Sequence, residues 1–169
     1  MAEQETLMKR VSETFNDFDE TVLVVIKGHL LIEELLDEII GTFVHHPDYI
    51  EDARLSFSHK IHIAKSMSLS EHNNGMWAIA TKLNALRNNL AHSLNSPKRQ
   101  DKTKAVIDAY LREANDDQKE MINGTDEHMI LLFVTSYMIG FLNSFLQEVQ
   151  RFREVVNSID EVMNSNHRK

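Results

Sequence analysis

Arg87, Asn88 and His92 fall at positions i, i+1 and i+5 of one apolar-periodic run, MWAIATKLNALRNNLAH. Arginine carries a permanent charge on a planar fork of donors, the shape that grips a phosphate or another oxyanion and stabilises charge developing on it. Histidine titrates near neutrality, so His92 can act as general base or general acid. Asn88 can hydrogen-bond an anionic oxygen or orient the imidazole. The three together could hold an anionic group and move a proton beside it, and nothing in that chemistry requires a metal. The chain has no cysteine, which excludes a disulfide framework, a thiolate zinc site and a thiol nucleophile.

The run that carries them reads as a helix capped by Asn73 or Asn74 and reaching about Leu94. At about 100° per residue, Met76, Ile79, Leu83, Leu86 and Leu90 share one stripe, which is the core side. Nearly opposite lie Trp77, Thr81, Asn84, Asn88, His92 and Asn95, a stripe without Lys or Glu. Asparagine is a poor helix former, and a charge-poor face beside an aromatic has the composition of a contact surface. Trp77, Thr81, Asn84 and Asn95 are therefore expected at a protein interface with a polar site set into it. Arg87 lies roughly 60° from the apolar centre, so its stem runs along the core boundary and its head needs a partner. Glu33 is the expected one.

Other elements must position this helix. Thr21–Val44 is apolar nearly all round and reads as a long buried helix, crossed by a polar stripe of His29, Glu33 and Asp37 at four-residue steps that faces water or a polar cleft. HHPDYIED reads as a loop and Asp52–Met67 as a helix. Asp101 is expected to cap a helix to about Ala114, the Asn123-Gly124 pair marks a break, and Asp126 caps a last long helix reaching Met163. The expected fold is all-α, a single bundle of about five to six helices with long second and C-terminal members. Residues 1–17 form an N-terminal helix or arm, 18–164 the bundle and 165–169 a disordered tail. His59 and His62 lack further ligands nearby, His45 and His46 read as loop residues, and His29 with Glu33 reads as a helix-face pair, so no metal or cofactor is expected.

The segment LRNNLAH, Leu86–His92, resembles the R-x4-6-H signature of HEPN domains, with Arg87, Asn88 and His92 at the matching places. Lys27–Ile40 also looks like the long first helix of such domains, with Glu33 as its acidic residue. The resemblance implies a HEPN-like bundle that dimerises with the two motif helices face to face, making one metal-independent RNA-cleaving cleft from both chains. Arg87 and His92 would be catalytic, and Asn88 and Glu33 supporting. It also implies a toxin or defence setting, with a nucleotidyltransferase-type antitoxin as a partner.

Net charge is −8, which opposes broad, sequence-independent nucleic-acid binding and leaves any RNA contact local. The N-terminus MAEQETLMKR lacks an apolar signal core and Met129–Leu142 is shorter than a membrane span, so a cytoplasmic protein with no membrane partner is expected. No nucleotide-loop, zincin or hydrolase signature appears. The second reading is a non-catalytic helical dimer, a regulator or scaffold of the mannitol-operon-repressor kind. Direct DNA reading has no basic recognition helix to support it.

Overall fold

The computed structural model describes residues 6, 19–68, 71–92 and 96–164, and the expected N-terminal arm, the tail over 165–169 and Asn95 lie outside them. Among the described residues there are seven α-helices and no strand, so the all-α bundle holds: α1 Glu20–Phe43, α2 Asp48–Asp52, α3 Phe57–Met67, α4 Met76–His92, α5 Arg99–Glu113, α6 Asp116–Ile122 and α7 Glu127–Met163. The count exceeds the expected five to six because two short helices form where no periodicity could declare them. One is α2, inside the expected loop HHPDYIED. The other is α6, closed by a reciprocal capping box between Asn115 and Gln118.

Helix ends follow capping chemistry. Asp19 accepts from the Val22 amide at 3.1 Å and also takes both guanidinium nitrogens of Arg99, tying the start of α1 to the start of α5. That pairing, above all the Arg99 hydrogen bond, holds the Asp19 carboxyl below its ordinary range. Ser56 rather than Asp52 opens α3, accepting from the His59 amide. Asn74 caps the start of α4, accepting from the Met76 amide at 2.9 Å. The expected Asp101 cap is instead a first-turn residue of α5, two places inside the helix. Gly124 takes φ +72 at the break before α7, a conformation that costs glycine nothing.

The long helices α1 and α7 run side by side in the same direction, as the pairs Glu20–His128, Gly28–Thr135 and Phe43–Phe152 show. Val25, Ile32, Leu36 and Ile39 of α1 meet Leu131, Val134, Met138 and Leu142 of α7 in the core, each nearly inaccessible. Burial of each such side chain contributes roughly 1.5–3 kcal/mol before entropy is counted. The α4 helix runs the other way, with Trp77 against Phe141 and Phe145, and Asn84 against His29. Residues 129–147 of α7 carry no Asp, Glu, Lys or Arg. By length and composition α7 could cross a bilayer, but 39% of its most apolar stretch is buried inside this bundle.

The α1–α7 approach is close because Gly28 has no side chain. A Cβ there would lie 2.3 Å from Cγ2 of Thr135, a β-branched residue with little freedom to turn away in a helix. Gly140 has no atom within 4 Å of the same construction. Urea unfolding should therefore separate the two glycines. Gly28→Ala is expected to destabilise by about 1–3 kcal/mol through overpacking, whereas Gly140→Ala should stabilise by up to about 1 kcal/mol through helix propensity.

Candidate functional site

The C-terminal half of α4 places Asn84, Arg87, Asn88 and His92 over the start of α1. Asn88 and His92 are exposed, and Asn84 and Arg87 half-buried. Arg87 leaves the helix about 100° round from Asn88, yet its Nη1 donates to Asn88 Oδ1 at 3.1 Å. The guanidinium thus turns away from the core boundary toward the side that carries His92. Asn88 in turn donates weakly to Asn84 Oδ1 at 3.5 Å, and that oxygen accepts from His29 Nε2 at 3.1 Å.

His29 is the residue that the sequence undervalued. It is 3% exposed, stacks on Phe57 at a centroid distance of 4.0 Å, and supports Asn84 from below. Burial pushes its pKa down, opposed by the Asn84 hydrogen bond and modulated by Arg87, Glu33 and Lys60 nearby. The ring is therefore neutral at neutral pH, with its proton on Nε2 facing the Asn84 oxygen. Nδ1 keeps a lone pair that no described group satisfies, 3.8 Å from Glu33 Oε2.

Glu33 does not pair with Arg87. Lys60 of α3 takes it instead, bonding Glu33 Oε1 at 2.9 Å and Asp37 Oδ2 at 2.7 Å. Burial works against the Lys60 charge, but the two carboxylates outweigh it and raise its pKa. The reason is geometric: Lys60 crosses from the neighbouring helix directly onto the Glu33–Asp37 side of the polar stripe. That stripe is accordingly a cleft lining, graded from buried His29 through half-buried Glu33 to exposed Asp37. Arg87 contacts no carboxylate among the described residues.

Trp77 is a correction as well. It is 3% exposed and packs edge-on against Phe141 and Phe145, so it belongs to this chain's own core and cannot face a partner. Thr81 is exposed, its hydroxyl returned to the Trp77 carbonyl at 2.9 Å. Of the expected interface stripe, Thr81, Asn88 and His92 are free to meet another molecule, and Asn84 is committed to His29. Exposed Leu23 and Leu30 of α1, 36 and 49% accessible, lie within a turn or two of His29.

Compared with known proteins, the chain matches no family model, no curated protein and no solved structure. What the arrangement can do rests on its own chemistry: a cation that meets no carboxylate among the described residues, an exposed imidazole and amides held by a buried ring.

Because the folded-state pKa of His29 lies below its unfolded value near 6.5, the unfolded chain binds the extra proton first. Stability from this residue is complete above that value. It is lost as pH falls from about 6.5 toward the lowered folded pKa. Denaturation of wild type and His29→Gln between pH 7.5 and 5 tests this. The wild type should weaken more steeply over that interval, and equal slopes would show that the ring is not buried neutral.

Proposed function

We propose that this protein is a metal-independent RNA endonuclease of the HEPN type, with Arg87 and His92 as its catalytic residues. The observation that carries the reading is the Arg87 guanidinium, drawn by Asn88 to the His92 side of α4 and meeting no carboxylate among the described residues. A phosphate oxygen can then take the fork that a salt bridge would have occupied.

Cleavage follows from elementary phosphate chemistry. The RNA 2′-oxygen attacks its own phosphorus, the 2′-O–P bond forms, and the P–O5′ bond breaks. His92 accepts the 2′-hydroxyl proton while an acid, the same residue of a second copy in a composite site, protonates the leaving 5′-oxygen. Arg87 stabilises charge on the non-bridging oxygens, and Asn88 with Asn84 fixes the guanidinium's direction. Glu33 acts at one remove, through Lys60 and the His29 pocket. The products are a 2′,3′-cyclic phosphate and a 5′-hydroxyl. A nucleotidyltransferase-type antitoxin is the partner that this reading implies.

A second reading is a non-catalytic helical dimer that regulates or scaffolds, favoured by the exposed leucines Leu23 and Leu30 beside the same cleft. Incubating the wild type and variants with total cellular RNA in EDTA decides between them. His92→Ala and Arg87→Ala should each slow cleavage by roughly 10²–10⁴-fold while leaving helicity intact. Cleavage that survives His92→Ala in a clean preparation overturns the site. RNA left whole by wild type, together with loss of dimer mass in Leu30→Glu, supports the second reading.

A further inference from the structure

The ring of His29 is held on two sides and open on a third. Phe57 of α3 stacks on its face at a centroid distance of 4.0 Å, and Asn84 of α4 accepts from Nε2 at 3.1 Å. The remaining edge, Nδ1, is shut off from solvent and meets no donor among the described residues. One helical turn on, Glu33 presents Oε2 to it at 3.8 Å, beyond hydrogen-bond reach. Two acceptors therefore confront each other across a gap, while Glu33 Oε1 and Asp37 Oδ2 share Lys60 at 2.9 and 2.7 Å. One proton turns that confrontation into a hydrogen bond, and histidine is the side chain that ordinarily gains one between pH 8 and 5.

We infer that His29 is a proton-operated regulator of the anion site at Arg87: Nδ1 takes up a proton and donates it in a hydrogen bond to Glu33, and proton and anion bind cooperatively. The inference rests on the reading of Arg87 as an anion site and not on RNA cleavage. In the protonated state Nε2–H stays on the Asn84 oxygen. Nδ1–H donates to Glu33 Oε2, which has to move only about 1 Å to reach an ordinary N–H···O length. Glu33 has room to do so, being half-buried at the cleft wall. Lys60 keeps Asp37 throughout, so its charge does not lose its partner.

Each charge facing His29 bears on this step. Burial opposes the cation most; Arg87 from α4 and Lys60 from α3 oppose it too, and Glu33 on the same helix favours it. The part of α7 packed against Gly28 adds no charge, since residues 129–147 lack Asp, Glu, Lys and Arg. Of the opposing groups, Arg87 is the one that a ligand can cancel. An oxyanion seated on its guanidinium removes that repulsion, so His29 accepts its proton at higher pH. The converse follows because coupling between two sites is reciprocal. Glu33, Asp37 and Lys60 together leave one negative charge on the cleft wall, and the imidazolium offsets it. The anion site therefore gains affinity as pH falls below about 6.5.

Sulfate is the probe, because its charge does not change over this range, measured against chloride at equal ionic strength to remove screening. The host is the full-length His92→Ala chain, since His92 would add a titration of its own beside Arg87. NMR of the ring nitrogens reads His29, and the Arg87 Nε–H resonance reads the anion. Saturating sulfate should move the His29 midpoint to higher pH, with Nδ1 as the nitrogen that gains the proton. Sulfate should also bind about fivefold more tightly at pH 5 than at pH 7.5. His29→Gln in the same host should remove most of that gain, and Glu33→Gln should move the His29 midpoint to lower pH. A His29 midpoint that sulfate leaves in place, a gain that His29→Gln leaves intact, or an Arg87 resonance that sulfate does not shift overturns the inference. Failure of the RNA reading looks different: wild type leaves RNA whole while sulfate still shifts both Arg87 and His29, which upholds the coupling.

Discussion

The close, same-direction packing of α1 on α7 through Gly28 and Thr135 sets the terms for the rest of the molecule. Two parallel helices cannot be joined by a tight turn, so the intervening chain must travel back along them before α7 begins. The α4 helix makes a first return, running against both long helices, and it is the element that carries Arg87, Asn88 and His92; α5 then runs from Arg99 beside Asp19 to Glu113 beside Gly75, and residues 114–126 bring the chain back to α7. The direction of α4 brings Trp77 against the middle of α7 and Asn84 level with His29. Without the approach that Gly28 permits, Val25, Ile32 and Leu36 would not seat against α7, and the ring of His29 would lose its fixed height.

A buried histidine is costly unless its hydrogen bonds are met, and this one is met on one nitrogen only. The cost falls at the foot of a chain of side chains that runs out to the surface. His29 fixes Asn84, Asn84 receives Asn88, and Asn88 holds the guanidinium of Arg87. A relay that begins in the core restricts the rotamers of an otherwise floppy arginine, which is the preorganisation that anion recognition requires. On the far side Lys60 bonds both Glu33 and Asp37 and offsets half of their charge, leaving one net negative charge on that wall of the cleft.

Periodicity made the long helices legible, because a stripe such as Met76, Ile79, Leu83, Leu86 and Leu90 repeats often enough to define a face. It failed on α2 and α6, which are five and seven residues long and too short to complete a pattern. It also misassigned Trp77. Helical angle put that residue opposite the apolar stripe, but α7 crosses the start of α4 and closes over it, and a crossing angle leaves no trace in one helix's sequence. The Glu33 pairing failed for the same reason: both Arg87 and Lys60 are plausible partners by type, and only tertiary placement chooses. His29 did carry a signal, since a polar residue on an almost wholly apolar helix must be satisfied or exposed. Reading it with Glu33 as a surface pair overlooked that Nε2 could reach across to an asparagine.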